Sequence, residues 1–136
     1  MDKKFIVASG PVIIENGKVL LNRHGDDAFW KFLGGRVEDF DFADPANSLE
    51  EACRREVKEE MGFDVEIIRP LKPMMVPKPG DPETWVILIH YLAKRLGEIN
   101  PGADIKKYQW FDINDLPADC APNIKPVIGE YKKSLG

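Results

Sequence analysis

The amino-acid sequence predicts an α+β fold, an α/β/α sandwich in which helices cover a mixed β-sheet. Three observations carry this prediction: a hairpin pattern near the N-terminus, an amphipathic helix pattern over residues 48–61, and a nearly continuous apolar run over residues 85–93 that is typical of a central strand covered on both faces. The chain has 136 residues, of which 43% are hydrophobic, so it can bury one sizeable core and is short for two ordinary domains. We therefore expect one domain spanning residues 1–136.

The N-terminal part of the chain predicts short strands joined by tight turns. Residues 5–14 and 18–23 are rich in Val, Ile and Leu, and they flank Asn16-Gly17, which favours the positive φ angles of a hairpin turn. A polar turn at residues 24–27 leads to residues 29–33, where three of five side chains are aromatic. These residues predict a third strand that ends at Gly34-Gly35.

The middle and end of the chain predict two helices and further strands. Ser48-Leu49-Glu50-Glu51 has the pattern of a capping box, so a helix is expected to begin at Ser48. Gly62 is expected to end this helix in the left-handed conformation. Residues 64–70 alternate and predict a strand, whereas residues 70–82 contain five prolines and predict no regular structure. A loop at 97–102, a strand at 108–111 and a closing amphipathic helix at 124–134 complete the expected order.

Charge and composition restrict the classes of partner. The chain carries 19 basic and 23 acidic side chains, and a net charge of −4 provides no long-range attraction for a long nucleic acid, although a small phosphorylated ligand needs only local cations. No apolar run approaches the roughly 20 residues of a membrane span, so we expect a cytoplasmic protein with no membrane partner. Cys53 and Cys120 have no CxxC spacing and are expected to be free thiols.

Three glutamates on the predicted helix form a candidate metal site. Glu56, Glu59 and Glu60 fall within an arc of roughly 100° at 3.6 residues per turn. Like charges this close raise one another's pKa, so the cluster is costly unless a cation occupies it. Ligands that offer only oxygen favour Mg²⁺ or Mn²⁺ over zinc. The alternative interpretation of these charges, taken alone, is an ordinary solvated helix face.

The context of these glutamates resembles a known family motif. Gly34-Gly35 precedes the helix, and the helix ends in Arg55-Glu56-Val57-Lys58-Glu59-Glu60-Met61-Gly62-Phe63. This combination resembles the Nudix box, which reads glycine, five residues, Glu, seven residues, Arg-Glu, an aliphatic residue, any residue, Glu-Glu, any residue, Gly and an apolar residue. The second half of the box matches at every position, and the surrounding strands extend the resemblance over nearly the whole chain.

The first half of the box departs from the family pattern. Eleven residues separate Gly35 from Asn47, where the family has five residues and then Glu, so this box carries a six-residue insertion and lacks its first glutamate. In the family that glutamate is mainly structural and commonly pairs with the arginine, and Asp44 or Glu38 is a candidate substitute. We expect the insertion at residues 39–46 to be a surface loop whose carboxylates face solvent, with Phe40 or Phe42 packed down to anchor it or to border the ligand pocket.

The resemblance implies an enzyme, a pyrophosphohydrolase of the Nudix type. Its substrate would be a nucleoside diphosphate linked to another moiety, as in a nucleoside triphosphate, a nucleotide sugar or a dinucleoside polyphosphate. Glu56, Glu59 and Glu60 would bind Mg²⁺ or Mn²⁺, with the Gly35 carbonyl as a further ligand, and a glutamate would accept the proton of the attacking water. Arg55 would orient the carboxylates.

Other candidate site residues lie outside the box. Asp104 occupies the place, six residues before Trp110-Phe111, where relatives carry an additional acid, although turn geometry explains an Asp there equally well. Arg23 and Arg36 are candidates for holding substrate phosphates, with a surface charge as the alternative for each. Trp30 is a candidate for stacking on a base, with core packing as its alternative.

The two histidines show no sign of a catalytic role in the sequence. His24 and His90 have no partner pattern for nucleophilic catalysis, so a structural role is expected for each. Dimers are frequent in the family, so a homodimer is one expected assembly. The alternative function is a Nudix-fold nucleotide-binding or regulatory module without turnover. That class is expected to lose the carboxylates, whereas Arg55 and the three glutamates are all present here.

Overall fold

A mixed β-sheet forms the centre of the fold in the computed structural model, which describes residues 3–25 and 27–135. In chain order the elements are β1 (Lys4–Glu15), β2 (Lys18–His24), β3 (Gly35–Arg36), a 3₁₀ turn (Asp39–Ala43), α1 (Ser48–Met61), β4 (Asp64–Pro70), β5 (Met74–Lys78), β6 (Asp81–Leu96), β7 (Ile105–Asp112) and α2 (Ile124–Ser134). The strand order is β4-β6-β1-β2-β7, with β3 paired to β1 and β5 paired to β6. β1 runs parallel to β6, whereas the other pairings are antiparallel. Asp26, in the predicted polar turn at 24–27, lies outside the described residues.

The two helices cover opposite faces of this sheet. Val12 packs in a core with Ile124 of α2, whereas its neighbour Ile13 packs in a second core with Val57 and Met61 of α1. Successive side chains of a strand point to opposite faces, so these two cores lie on the two sides of β1. The predicted α/β/α sandwich is therefore confirmed.

The elements defined by local patterns agree with the sequence predictions. The β1–β2 hairpin turns at Asn16 and Gly17, whose φ angles of 53° and 73° fit the expected tight turn. α1 covers the predicted residues and ends at Gly62 with φ 75°. β4 and α2 have the predicted bounds, and β7 begins at Ile105, three residues before the predicted strand at 108–111.

The start of α1 differs in one respect from the capping-box prediction. Asn47, and not Ser48, is the N-cap residue, and no side-chain capping bond is formed. The Ser48 hydroxyl instead faces the Pro45 carbonyl at 3.5 Å. The insertion that precedes the helix is held by other contacts, described below, so the helix begins at the predicted residue without the predicted cap.

The proline-rich region at 70–82 is more regular than predicted. It contains β5 and the first residues of β6, which is longer than the predicted strand at 85–93. Pro77 is tolerated because β5 is an edge strand, where a missing N–H need not break a ladder. Gly80, with φ 79°, allows the turn between the two strands. Residues 85–89 of β6 are half-buried, so the expected coverage of both faces is incomplete there.

The predicted aromatic strand at 29–33 is wrong. Trp30 and Lys31 form only isolated bridges, the first with Cys120 and the second with Asn22 of β2. Because consecutive residues bond to different segments, no continuous ladder develops. Regular pairing begins only at β3, after Gly34 turns the backbone with φ 127°.

Two further sequence expectations concern thiols and the membrane. Cys53 and Cys120 are free, as predicted, and burial raises the pKa of the Cys53 thiol to about 12. Among the residues that the structure describes, no helix is long and apolar enough to cross a membrane.

Candidate active site

The three glutamates of α1 border one cleft. The cleft has a volume of about 180 Å³. Its walls are His24, Glu56, Glu59, Glu60, Gly102, Ala103, Asp104 and Ile105. The structure thus brings Asp104, an exposed residue in the turn just before β7, beside the glutamates of the box.

Glu60 is the most buried of the three glutamates and both of its oxygens have partners. The Gly34 backbone N–H donates to Glu60 Oε1 at 2.9 Å, and Glu60 Oε2 lies 2.7 Å from His24 Nε2. The hydrogen bond to Glu60 raises the pKa of His24 despite the opposing effect of burial. Glu60 therefore connects α1 to both the glycine pair and the end of β2.

The sequence analysis expected a structural role for His24 and did not place it beside the glutamates. A usable signal is present in the alternation of β2. Leu20 packs in the core on the α1 face, and His24 follows it by four residues, so the period of two directs both side chains to that face. The same alternation directs Arg23, between Asn22 and His24, to the opposite face of the sheet.

Arg55 finds its partner within the insertion. Arg55 Nε donates to Asp41 Oδ1 at 3.0 Å, and Arg55 Nη2 donates to Asp41 Oδ2 at 2.9 Å. The Asp41 side chain is 3% exposed, and its hydrogen bonds to Arg55 lower its pKa. The predicted substitutes are wrong: Asp44 accepts from the Asn47 amide, and the Glu38 backbone N–H donates to Asp41. The expectation that all carboxylates of the insertion face solvent is wrong at Asp41.

The rest of the insertion covers this ion pair. Residues 39–43 form the 3₁₀ turn, and the ring of Phe40 lies 4.5 Å from Arg55 Cζ while remaining 63% exposed. Phe42 lines a shallow groove with Phe5 and Leu49. The stacking of Phe40 on the guanidinium is a cation–π contact that anchors the turn. The expectation that Phe40 or Phe42 packs down is wrong, because Phe40 is 63% and Phe42 57% exposed.

Arg55 also reaches two glutamates that follow it on the site side of α1. Arg55 Nη1 lies 3.0 Å from Glu56 Oε1 and 3.3 Å from Glu59 Oε2. Arg55 Nη2 donates to the Arg36 carbonyl at 3.2 Å. The arginine therefore joins the insertion, β3 and two glutamates in one network.

Glu56 lies against the second glycine of the pair. A Cβ on Gly35 would be 2.4 Å from Glu56 Oε2, so any other residue there would force the Glu56 carboxylate to move away. Burial raises the pKa of Glu56, while Arg55 opposes the shift and Glu60 and Glu59 add to it. Within residues 3–25 and 27–135, no group of three His, Cys, Asp or Glu side chains is gathered closely enough to hold a metal ion as it stands.

Two other candidate residues lie on the opposite face. The Arg23 guanidinium forms an ion pair with Asp119 and lies 4.8 Å from the centre of the Trp30 ring. Trp30 is 8% exposed and packs edge-to-face on Phe111 in the core beneath α2. The structure therefore does not bring Arg23 and Trp30 to the glutamates, and it leaves little of the Trp30 ring open to a base. Arg36 is exposed in β3, next to Gly35.

A second cavity meets the glycine pair from the side of α2. Its volume is about 190 Å³, and Gly34 and Gly35 belong to its walls. Most of the other walls are apolar, including Phe32 and Leu88. The polar side chains of the lining are Ser9, Lys31, His90 and Asn123, and the last two lie side by side at one corner.

The chain is similar to known proteins in both sequence and fold. The NUDIX domain family model matches residues 4–131. An ADP-ribose pyrophosphatase from Methanocaldococcus jannaschii is 30% identical over 131 residues, which cover 93% of this chain and 73% of that protein. The crystal structure of a MutT protein from Methanosarcina mazei superposes with a TM-score of 0.81 at 19% identity, covering 99% of this chain and 98% of that one. A MutT NUDIX hydrolase from Burkholderia pseudomallei gives a TM-score of 0.78 at 23% identity, with 94% and 98% covered.

Proposed function

Since this chain belongs to the Nudix family of pyrophosphohydrolases, we propose that it carries out its hydrolysis in the cleft beside α1. The enzyme cleaves a pyrophosphate bond in a nucleoside diphosphate derivative. The observation that carries the assignment of the cleft is the position of Glu56 against Gly35, with Glu59, Glu60 and Asp104 around the same space.

The side chains of the cleft suit a hard divalent cation. Nudix hydrolases generally use divalent metal ions. The donors here are carboxylate oxygens, with the Gly35 carbonyl as the proposed further ligand, and oxygen ligands favour Mg²⁺ or Mn²⁺. The raised pKa of Glu56 also favours a cation site. Burial and the neighbouring glutamates disfavour its charged form, and a bound cation would stabilise that form. Under this proposal Glu56, Glu59 and Glu60 hold the ion, which polarises the phosphate when bound.

The remaining residues of the cleft position these carboxylates and handle protons. Arg55, itself held by Asp41, restrains Glu56 and Glu59. His24 and the Gly34 N–H hold the two oxygens of the Glu60 carboxylate in place. Asp104 is exposed on the opposite wall and is therefore free to accept a proton from the attacking water.

The two cavities would hold different parts of the substrate, with the glycine pair between them. The diphosphate would lie in the carboxylate cleft, and the nucleoside would occupy the more apolar cavity, whose walls include Gly34 and Gly35. Aromatic and aliphatic walls with a few polar groups are typical of small-molecule sites. Arg36 is next to Gly35 and is the candidate cation for a phosphate, whereas Arg23 is already paired with Asp119.

The substrate is a small nucleotide derivative. Nucleoside triphosphates, nucleotide sugars and dinucleoside polyphosphates all belong to the class, and similarity to an ADP-ribose pyrophosphatase favours testing nucleotide sugars first. The net charge of −4 favours small substrates over long nucleic acids. A cytoplasmic location and a homodimer stay predictions.

Hydrolysis of this compound panel, with Mg²⁺, with Mn²⁺ and with a chelator, tests the proposal. Glu59→Gln removes one carboxylate whose side chain is 59% exposed, so the fold should tolerate it. We expect turnover on the best substrate to fall by at least about a hundredfold, as for loss of a metal ligand. Glu51→Gln is the matched control, because Glu51 is an exposed glutamate of the same helix that pairs with Arg54. Equal rates in both variants would place the metal site elsewhere.

A further inference from the structure

The polar corner of the second cavity is built from a buried histidine and an asparagine. His90 lies in β6 with 3% of its surface exposed, and Asn123 is the N-cap residue of α2 with 8% exposed. His90 Nε2 is 2.9 Å from Asn123 Nδ2, and His90 Nδ1 is 2.8 Å from the Lys72 carbonyl oxygen. The carboxylate cleft does not use this pair.

The carbonyl of Lys72 determines which nitrogen of His90 carries the proton. A carbonyl oxygen can only accept a hydrogen bond, so Nδ1 must be the protonated nitrogen. Burial lowers the pKa of His90, which favours the neutral ring. In a neutral ring with a proton on Nδ1, Nε2 has a lone pair and can only accept. The atom of Asn123 that faces it must therefore be the amide nitrogen.

This orientation leaves the carbonyl of the asparagine amide for the cavity. An N-cap asparagine commonly uses Oδ1 to accept a backbone N–H of its helix, but Asn123 makes no such capping bond. Because Nδ2 faces His90, Oδ1 is directed away from that ring. Asn123 lines a cavity whose walls are mostly apolar but also include Ser9 and Lys31, and Oδ1 is the amide atom that remains for a ligand there.

We propose that His90 is a positioning residue that fixes the orientation of the Asn123 amide, so that the second cavity selects nucleobases which present an N–H donor to Asn123 Oδ1. The inference rests on the proposed function in one respect, the placement of the nucleoside in this cavity. A site that offers a hydrogen bond discriminates against an analogue that lacks the partner, because its polar group is then left unpaired. Without His90 the amide can rotate and offer its N–H₂ group, and the preference for donors should disappear.

Binding of nucleoside 5′-monophosphates tests the selection without any need for turnover, since these compounds have no pyrophosphate bond. Guanosine and inosine monophosphates differ by a 2-amino donor, and adenosine and purine-riboside monophosphates differ by a 6-amino donor. Calorimetric Kd values for the wild type should differ by at least about tenfold within at least one pair, the donor-bearing base binding more tightly. His90→Phe and Asn123→Leu should each reduce that ratio to within about twofold.

His90→Gln is the conservative rescue, because a glutamine can donate to the Lys72 carbonyl and accept from the Asn123 amide at once. It should retain most of the wild-type ratio. A purely structural role of His90 predicts instead that all four monophosphates weaken together and that the ratio is unchanged. Equal ratios in the wild type and the Phe variant overturn the inference, as does a wild type that binds none of the four compounds or favours the base without the donor.

A long-range ¹H–¹⁵N correlation spectrum of the wild type tests the first step independently of any variant's folding. The spectrum should show His90 protonated on Nδ1 and unprotonated on Nε2 at neutral pH. A proton on Nε2 overturns the inference. Failure of the two proposals is distinguishable: turnover without base discrimination overturns only the role of His90, whereas discrimination without glutamate-dependent turnover overturns only the catalytic assignment of the cleft.

Discussion

Replacing Asp41 by Asn tests whether the insertion supplies the partner of Arg55. The substitution keeps the shape of the side chain but removes its charge and one of two acceptors that lie 3.0 and 2.9 Å from the guanidinium. A hydrogen bond to a charged group contributes about 1.5–3 kcal/mol. Breaking a fully buried ion pair costs about 3–5 kcal/mol. The Arg55 side chain is 20% exposed and water screens part of the loss, so we expect a cost of about 2 kcal/mol.

A cost of this size is measurable in two assays. For a chain of this length it lowers Tm by roughly 6 °C, and it shifts the urea midpoint without changing the m-value. Turnover should also fall, by roughly tenfold, because Arg55 no longer holds Glu56 and Glu59 in place. Asp39→Asn is the matched control, since Asp39 is an exposed aspartate of the same 3₁₀ turn, and it should change stability by less than about 0.5 kcal/mol.

The stability that the Asp41–Arg55 pair contributes should depend on pH in a defined direction. Arg55 lowers the pKa of Asp41 in the folded state, so the carboxylate contributes stability above its unfolded pKa of about 3.9 and loses that contribution as the pH falls through the folded pKa. The difference between wild type and Asp41→Asn should therefore be full at pH 7 and shrink below about pH 4. Equal Tm values for the Asp41 and Asp39 variants at pH 7 would refute the reasoning.

Three further predictions concern the carboxylate cleft. Gly35→Ala should lower activity, because its Cβ would come within 2.4 Å of Glu56 Oε2 and displace that carboxylate, and measured rates equal to those of the wild type would contradict the role of this close approach. Mg²⁺ should raise the Tm of the wild type modestly and leave a variant with Gln at Glu56, Glu59 and Glu60 unchanged, so equal shifts in calorimetry would mean that the ion binds elsewhere. In the metal-free protein, Glu60 raises the pKa of His24, so this pair contributes stability below about pH 6.5 that is lost as the pH rises through the folded pKa. His24→Gln should remove that pH dependence from urea titrations at pH 6 and pH 8.

The parts of the fold that the sequence predicts are those encoded over a few neighbouring residues. Asn16-Gly17 determines its own turn through positive φ angles, and the four-residue spacing of Val57 and Met61 determines the buried face of α1. The arc of glutamates follows from the same helical period. These features need no knowledge of which distant segment lies beside them, so they could be predicted from short stretches of sequence.

The parts that could not be predicted depend on distant partners. Asp41 is one of several acids in the insertion, and only the folded loop decides which of them reaches Arg55. Pro77 argues against a strand until the position of β5 at the sheet edge is known. Trp30 and Lys31 have strand-forming side chains, yet each finds a different neighbour. In each case tertiary contacts override the local preference.

The ion pair between Asp41 and Arg55 also bears on how such sites are detected. A search pattern that requires a glutamate eight positions before the arginine would reject this chain, because Asn47 stands there. The carboxylate that pairs with Arg55 belongs instead to Asp41, fourteen positions before the arginine and in a loop. It binds the guanidinium through both of its oxygens. Since a bidentate pair is defined by the placement of two oxygens and not by the route of the backbone, the arginine can exchange its partner while the glutamates that follow it stay where they are. Templates written as distances between functional groups would therefore recognise this site, whereas templates written as intervals along the chain would not.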